Sequence, residues 1–416
     1  MLKTPSVCII GAGAAGLAAA RVLEESGYTP LVLEADAKIG GRLKTDIIEG
    51  YALDHGFQVL LTAYPAVKKY LDLGSMKLNY FHPGAVIFSG GKQSVMGDPL
   101  RQPSMLFKTL LSSAATVKDK LLVYRLTNQL KAKSIEAIFN SQEVSTLEYL
   151  KSYGFSNVVI EKFFRPFFAG IYLEDKLSTS SRMFEFIYKM FSQGSAAVPE
   201  NGIQDVAQHL ANSLKKSIIR TNASVVKIDK DSNSIYLQNG DVIKSDYIIV
   251  ATNCDKLLSD YKTEATVWKK CTTLYFKAPQ RVSNSQLIGL VTDVEALINT
   301  VSYVPGIAAK EGGGVMISVT VVKNNTLDDN GLVQRSIADL KKFCGFNDLK
   351  FVKLYHINKA LPDIKSVSYI PQNVMVSESI FAAGDALANG SLNAALLSGE
   401  EAAKALINHH LSVVNG

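Results

Sequence analysis

The sequence predicts an α/β protein in which a Rossmann-type domain is interleaved with a second, α+β domain. An apolar strand at 7–10 runs into a glycine-rich turn at 11–16 and then a helical pattern at 17–26. Residues 247–251 form a continuous apolar stretch of the kind found in parallel sheets, and another apolar strand stands at 380–383. Because these strands lie far apart in the chain, the intervening segments are expected to build a second domain, with a cavity at the junction.

The glycine-rich turn is typical of a dinucleotide site. Gly11 allows the tight turn, Gly13 lets the backbone approach a pyrophosphate, and Gly16 lets the helix pack closely on the strand. The helix N-terminus then faces the phosphates with the positive end of its dipole. The next strand ends in Glu34, whose carboxylate can accept hydrogen bonds from the ribose hydroxyls of an adenosine. The cofactor-binding residues predicted here are Gly11, Gly13, Ala14, Ala15, Gly16, Glu34 and Ala35.

A second glycine pair, Gly40-Gly41, directly precedes Arg42. Such a loop suits the other side of a pyrophosphate, because the guanidinium offsets the phosphate charge. The plain alternative is a surface turn that ends in an exposed arginine. Gly56 and Phe57 follow shortly after and are included among the predicted cofactor-binding residues.

The apolar strand near the C-terminus ends in Gly384-Asp385. A carboxylate at this place can hydrogen-bond to a polyol such as the ribityl chain of FAD. A helix that begins near Leu392 would point the positive end of its dipole at a cofactor group that gains negative charge on reduction. The predicted cofactor-binding residues of this segment are Gly384, Asp385, Ser391, Leu392 and Asn393.

Together, the glycine-rich turn, Glu34, the Gly-Gly-Arg loop and the C-terminal Gly-Asp element resemble the flavin superfamily of amine oxidases, protoporphyrinogen oxidases and phytoene desaturases. The resemblance implies FAD as the cofactor, a GR2-like FAD-binding domain and a backbone contact to the adenine near Val225. The alternative for Val225 is an ordinary strand residue close to the hairpin that the Asn239-Gly240 turn predicts. In this superfamily the flavin does the chemistry, and the protein binds, orients and tunes it.

The predicted FAD-binding domain comprises residues 1–85, 200–260 and 355–416, and the predicted substrate-binding domain comprises residues 86–199 and 261–354. The first substrate-domain segment has mainly helical patterns, and the second reads as strands followed by a helix. A dense aromatic cluster at 163–172 predicts either an apolar substrate tunnel or ordinary core packing.

A helical pattern at 104–127 carries the basic residues Lys118, Lys120 and Arg125. One interpretation is peripheral contact with a membrane surface, from which related enzymes collect lipophilic substrates. The other is an amphipathic helix that faces the core.

Two departures from the resemblance argue against an amine substrate. Amine oxidases have an aromatic residue after the glycine that corresponds to Gly390, as one wall of a cage for the amine, and this chain has Ser391. They also carry a lysine that bridges to flavin N5 through a water. Lys270 is the nearest candidate, but alignment on the later Lys-x-Pro places that position on Cys271. A bulge could restore the lysine, whereas a one-residue slip would turn its side chain to the other face.

No side chain stands out as a catalytic acid or base. His55 and Gln58 follow the Gly-Gly-Arg loop and could approach the flavin or the substrate, and Lys270 is the third weak candidate. The alternative for His55 is a hydrogen-bonded structural histidine. No histidine or cysteine has metal-ligand spacing, so no metal site is expected.

Composition excludes other broad classes. The 416 residues are 47% hydrophobic, enough for two domain cores, and the net charge of +6 comes without the basic block that a nucleic-acid binder would need. Four scattered cysteines predict reduced thiols in an intracellular protein, with Cys8 buried in the first strand. No apolar run reaches the roughly 18 residues of a membrane span. We therefore expect a cytoplasmic protein without a signal peptide, in possible contact with a membrane.

The sequence thus predicts an FAD-dependent oxidoreductase that removes hydride from a hydrophobic, ring-bearing or polyene-like small molecule, as protoporphyrinogen oxidase or phytoene desaturase does. The first alternative is a flavin amine oxidase with a rearranged cage. The second is a non-catalytic binding protein like the GDP-dissociation inhibitors of small GTPases, which resemble this fold. Such proteins are expected to lose parts of the cofactor-binding sequence, whereas this chain keeps Glu34, Arg42 and Asp385.

Overall fold

The computed structural model describes residues 4–97, 112, 114–253, 257, 266–283, 286–305 and 314–415. The strands are β1 (Val7–Ile10), β2 (Leu31–Leu33), β3 (Thr45–Ile48), β4 (Tyr51–Asp54), β5 (Leu60–Leu61), β6 (Leu78–Tyr80), β7 (Gly84–Ser89), β8 (Lys92–Gly97), β9 (Ala196–Pro199), β10 (Ile218–Arg220), β11 (Val225–Asp229), β12 (Ser234–Leu237), β13 (Val242–Lys244), β14 (Tyr247–Val250), β15 (Trp268–Ala278), β16 (Ile288–Val291), β17 (Thr300–Tyr303), β18 (Val315–Val321), β19 (Lys350–Pro362) and β20 (Ile380–Ala382).

The helices are α1 (Ala14–Glu25), α2 (Pro65–Tyr70), α3 (Val117–Ala132), α4 (Ile135–Phe139), α5 (Thr146–Tyr153), α6 (Asn157–Val159), α7 (Arg165–Tyr172), α8 (Ser181–Gln193), α9 (Gln204–Ser213), α10 (Asp329–Asp339) and α11 (Leu392–Asn415). Ile160–Phe164 and Leu340–Cys344 are π-helical turns that continue α6 and α10, and Asp385–Leu387 is a 3₁₀ turn. None of the described helices is long and apolar enough to cross a membrane.

A five-stranded parallel sheet, in the order β10-β2-β1-β14-β20, forms the centre of the first half of the fold. Every residue of β1 and of β14 is buried, because hydrophobic clusters cover both faces of the sheet. The expectation of a parallel strand at 247–251 is confirmed, and so is burial of Cys8 in β1. The sheet joins three parts of the chain that are distant in sequence.

Two glycines allow unusually close packing around α1, against the loop after β1 and against α11. A Cβ atom at Gly16 in α1 would lie 1.9 Å from the carbonyl oxygen of Gly11. A Cβ atom at Gly399 in α11 would lie 2.0 Å from the carbonyl oxygen of Ala15. Any larger residue would force α1 away from β1 or from α11, so these contacts fix the position of the helix N-terminus.

The hairpin expected at Asn239-Gly240 is confirmed. β12 and β13 pair antiparallel, and Gly240 supplies the left-handed turn conformation with φ +90°. β11 extends this small sheet, and Val225 pairs with Leu237 at its edge.

The second half of the fold is built on a seven-stranded sheet, in the order β19-β15-β18-β17-β16-β7-β8. One face packs on α10 through side chains such as Leu274, Phe276 and Val319. The alternate residues point to the opposite face, where Thr273 and Thr320 are neighbours in register. Both threonines are buried, so this face is covered as well.

The expectation of mainly helical structure at 86–199 was wrong at its two ends. β7 and β8 form an antiparallel hairpin that extends the seven-stranded sheet, and β9 pairs with β5 and β6. The Gly90-Gly91 turn, with φ +58° and +73°, is the sequence signal for the hairpin. The predicted boundaries at 85/86 and 354/355 both fall inside strands of this sheet, β7 and β19. The division into two domains stays a prediction.

Helices α3 to α8 form the remaining layer. Residues 104–111 and 113 of the helical pattern expected at 104–127 lie outside the described residues; the described helix starts at Val117 and is capped by Thr116. In α3, Lys118 and Arg125 are exposed, whereas Lys120 reaches the large cavity described below. A membrane contact of this helix stays a prediction.

Candidate active site

A cavity of about 1510 Å³ is lined by residues of both large sheets and of the helical layer. This volume exceeds the roughly 300–1,000 Å³ of a typical ligand pocket. The cavity therefore has room for a dinucleotide together with a second molecule.

The glycine-rich turn forms one end of the cavity. Gly11 adopts φ +104° and a Cβ there would lie 2.9 Å from the carbonyl oxygen of Ala251, so both conformation and space require glycine. At Gly13 the nearest atoms to an ideal Cβ are 3.9 Å away, on Gly40 and Gly41. The two glycine loops also pair with each other, since the Gly40 N–H donates to the carbonyl oxygen of Ala12 at 2.9 Å. Together they leave open backbone at the N-terminus of α1, as a phosphate site needs.

Glu34 lies at the carboxyl end of β2, as predicted. It lines the cavity, and its side chain is almost fully buried. One carboxylate oxygen accepts the Ala12 N–H at 2.8 Å, and the other accepts the Asp36 N–H at 3.0 Å. Backbone donors thus fix the carboxylate while leaving lone pairs for a ribose hydroxyl.

Arg42 connects the two halves of the cavity. Its guanidinium forms a bidentate ion pair with Asp385, in which one of the two hydrogen bonds is 3.0 Å long. It also donates to the carbonyl oxygen of Ala360 at 3.3 Å. It lies over the ring of Trp268, 5.2 Å from the ring centroid. Burial would lower the pKa of Arg42, but the Asp385 carboxylate outweighs this and raises it, so the group stays charged.

The C-terminal Gly-Asp element borders the same cavity. The Gly384 N–H donates to the Ser398 hydroxyl at 2.8 Å, which ties the end of β20 to α11. At the start of α11, Ser391 caps the helix by accepting the Ala394 N–H at 3.1 Å, and its own hydroxyl donates to Asn389 at 2.7 Å. The helix N-terminus therefore faces the cavity with its first turn held in place.

Most of the predicted cofactor-binding residues lie along this cavity. Those that line it are Gly11, Gly13, Ala14, Ala15, Glu34, Ala35, Gly40, Gly41, Arg42, Gly56, Phe57, Val225, Gly384, Asp385, Ser391 and Leu392. Gly16 and Asn393 do not line it. Gly16 packs against Gly11, and the buried Asn393 accepts the Ala66 N–H at 3.0 Å. These two residues support the wall from behind.

His55 and Gln58 reach the cavity wall with their polar groups already bonded. The His55 ring stacks on Tyr355 at 4.2 Å, and its Nε2 lies 2.9 Å from the Asp46 carboxylate. Tyr355 donates to the same carboxylate at 2.7 Å. Burial is the largest single influence and raises the pKa of Asp46, but the hydrogen bonds from Tyr355 and His55, together with nearby positive charge, outweigh it and lower the pKa overall. Gln58 donates to the carbonyl oxygens of Arg42 and His55, so both side chains are arranged as structural residues.

The lysine expected in amine oxidases has no counterpart at the cavity wall of β15. Lys270 is exposed and does not line the cavity, whereas Cys271 is buried and does. The β15–β19 register is irregular between Lys269 and Cys271, but it does not turn Lys270 inward. Burial raises the pKa of the Cys271 thiol to about 12, so it is uncharged at neutral pH.

The aromatic cluster at 163–172 is divided between the cavity wall and the core, and its role as a substrate tunnel stays a prediction. Phe163, Phe167 and Phe168 line the cavity, and the first two rings stack at 5.6 Å. Phe164 and Tyr172 are fully buried in the helical core instead. Tyr188 and Phe191 of α8 extend the cavity wall, and the wall that faces the seven-stranded sheet is thus apolar and aromatic.

Among the cavity residues that sequence reasoning missed are Trp268 and Lys359. Trp268 carried one usable signal, since it is the sole tryptophan of the chain. Nothing in the sequence links these two residues, which meet only because β15 and β19 pair antiparallel.

Over residues 14–407 the chain matches the family of flavin containing amine oxidoreductases, and it belongs to this family. FAD is therefore its cofactor. The cavity fits this group, with open backbone at Gly13, a fixed carboxylate at Glu34 and the Arg42–Asp385 pair opposite.

The family includes several activities. Protoporphyrinogen oxidase 2 of Arabidopsis thaliana is 29% identical over 179 residues, which are 42% of this chain and 34% of that protein. The probable polyamine oxidase 5 of the same plant is 25% identical over 308 residues, 64% of this chain and 58% of that protein. Among solved structures, a double mutant of putrescine oxidase superposes with a TM-score of 0.72 at 17% identity, over 97% of this chain and 99% of that one. The chain thus spans less than two thirds of either curated relative, and the structural likeness shows the fold alone.

Proposed function

We propose that the protein is an FAD-dependent oxidoreductase that dehydrogenates a hydrophobic small molecule by hydride transfer, in the manner of protoporphyrinogen oxidase or phytoene desaturase. Bound FAD supplies the hydride acceptor. The protein's own part is to hold the cofactor at the glycine loops, hold the substrate against an apolar wall and exclude water.

The observation that carries this proposal is the side chain that β15 presents to the cavity. Cys271 stands there as a buried, protonated thiol in place of an ammonium group. A thiol is a weak hydrogen-bond donor and cannot position a water as a lysine does. The neighbouring Lys270, pointing elsewhere, does not replace it.

The charges around the cavity also disfavour a cationic amine. Among the described residues that line it, the carboxylates are Glu34 and Asp385. Backbone N–H groups already bind the first, and Arg42 already binds the second. A buried ammonium would find no free carboxylate there, and burying an unpaired charge is costly.

The aromatic wall supports a ring-bearing or polyene-like substrate. Phe163, Phe167 and Phe191 offer large flat surfaces, which bind conjugated or cyclic molecules without hydrogen bonds. A binding protein of the GDP-dissociation-inhibitor type is not favoured, because Glu34, Arg42 and Asp385 all remain at the cavity.

The proposal is tested by anaerobic titration of the purified flavoprotein with candidate reductants. We expect protoporphyrinogen or a phytoene-like polyene to bleach the absorbance of the oxidised flavin, and putrescine and benzylamine to leave it unchanged. Bleaching by the amines alone would show that the protein is an amine oxidase with a rearranged cage.

A further inference from the structure

Two cations lie close to one indole ring where the cofactor loops meet the seven-stranded sheet. Trp268, the first residue of β15, lines the cavity. The guanidinium carbon of Arg42 is 5.2 Å from its ring centroid, and Nζ of Lys359 is 6.0 Å from the same centroid. Arg42 follows the second glycine loop, whereas Trp268 and Lys359 come from the other half of the fold. Residues of both halves therefore converge at this point.

The positive charge at this place is not fully balanced. Asp385 pairs with Arg42. Lys359 has no carboxylate within ion-pair distance in the part of the chain that the structure describes. The cavity wall therefore carries one cation more than it has anions near Trp268, an arrangement that attracts a negatively charged group.

The indole N–H points to the same conclusion independently. Nε1 of Trp268 is buried and donates to no acceptor among the described residues. Buried polar groups in folded proteins nearly always have a hydrogen-bond partner. A phosphate oxygen would supply one, and a hydrogen bond to an anion is stronger than one to a neutral acceptor.

An irregularity of β19 brings these groups together. In the pairing with β15, Lys269 is opposite Leu361 but Cys271 is opposite Ile357, so residues 358–360 bulge out of the regular ladder. Within this bulge, Ala360 accepts a hydrogen bond from Arg42 at 3.3 Å, and Lys359 lines the cavity. The bulge thus holds Lys359 beside the arginine that follows the Gly-Gly loop.

We propose that Trp268 and Lys359 complete the phosphate site of FAD, with the indole N–H as a donor and the ammonium as a second cation beside Arg42. A pyrophosphate is dianionic, and Arg42 alone is shared with Asp385. The seven-stranded sheet, which also presents Cys271 to the cavity, then contributes to cofactor affinity. The inference rests on FAD as the cofactor and does not depend on which substrate is oxidised.

The test compares release of FAD from the holoenzyme variants Trp268→Phe and Lys359→Met with release from the wild type, followed by the rise of flavin fluorescence on dilution. The first variant keeps an aromatic ring and loses the N–H, and the second keeps a long side chain and loses the charge. We expect each to weaken FAD binding at least fivefold. Lys270→Met is the matched control, since Lys270 is exposed on the same strand and does not line the cavity. It should stay within twofold of the wild type.

Competition with ADP and with riboflavin identifies the part of FAD that is contacted. ADP carries the pyrophosphate without the flavin, and riboflavin carries the flavin without phosphate. We expect Lys359→Met to weaken the binding of ADP by the same factor as the binding of FAD and to leave the affinity for riboflavin unchanged. Decanoate, an anion without phosphate, is used as a third competitor. Unchanged affinity for FAD and ADP in both variants would overturn the proposal. Weaker binding of riboflavin alone, or of decanoate alone, would overturn it as well. Wild-type holoenzyme that retains FAD but is not reduced by any porphyrinogen or polyene would contradict the proposed function alone.

Discussion

At the scale of single residues, the glycine loops separate two reasons for glycine. Gly11 needs glycine for its left-handed backbone, at φ +104°. Gly13 has φ −80°, which any residue can adopt, and a Cβ there meets nothing nearer than 3.9 Å. Its role is therefore to keep space free at the cavity rather than to permit a turn.

This difference gives the first residue-scale prediction. Gly13→Val should fold, because its backbone is unstrained, but its methyl groups would occupy the approach to the pyrophosphate. We expect a colourless apoprotein, with FAD affinity lowered at least a hundredfold, measured by the ratio of flavin to protein absorbance. Gly13→Ala is the control for folding and should melt within a few degrees of the wild-type apoprotein. Normal FAD content in Gly13→Val would contradict the assignment of this loop.

Lys270 and Cys271 give the second residue-scale prediction. Because the Lys270 side chain is exposed and lies away from the cavity, Lys270→Met should change the rate of flavin reduction less than threefold. Stopped-flow absorbance under anaerobic conditions measures this rate. A loss of two orders of magnitude with intact FAD content would revive the amine oxidase alternative.

At the scale of elements, α11 is anchored by one buried carboxylate. Glu400 accepts hydrogen bonds from Lys69 at 2.7 Å and from Tyr70 at 2.8 Å, both on α2, and pairs with Lys404 at 2.7 Å. Burial raises the pKa of Glu400, but these partners outweigh it and lower the pKa to about 2. The contacts hold the long C-terminal helix, whose first turn borders the cavity, against the start of the fold.

Glu400→Gln should therefore destabilise the protein by roughly 2 kcal/mol at pH 7. The expected loss is no larger because the lysine partners are partly exposed, and solvent weakens their attraction to Glu400. The folded-state pKa lies below the ordinary value of 4.5, so the stabilisation is complete above pH 4.5 and is lost as the pH falls towards 2. Urea unfolding of variant and wild type across this pH range measures the difference, which should shrink on acidification. Glu401→Gln is the control, because Glu401 pairs only with Lys404 among the described residues and is more exposed. If the difference in unfolding free energy between Glu400→Gln and the wild type did not change with pH, the assignment of Glu400 as an ionised carboxylate would be contradicted.

At the scale of the whole molecule, the cavity exists because two sheets are assembled from alternating pieces of the chain. The motifs at 11–16, 40–42 and 384–385 predicted one half of it, since each combines a strand end with residues of special conformation or charge. The other half had no such motif. Phe163 and Phe164 are adjacent and chemically alike, yet one faces the cavity and the other the core.

The sequence by itself determined the parallel sheet, the hairpin at Asn239-Gly240, the family and the cofactor, because these depend on local patterns of apolar residues, glycines and acids. Tertiary structure decided between the two directions that the sequence left open for Lys270, and it alone showed that Asn393 lies behind the cavity wall and that Trp268 meets Lys359. For the residues of β15 and β19 the physical reason is strand register. Side chains alternate along a strand, so the direction of each depends on pairing with residues far away in the chain, which no local pattern specifies.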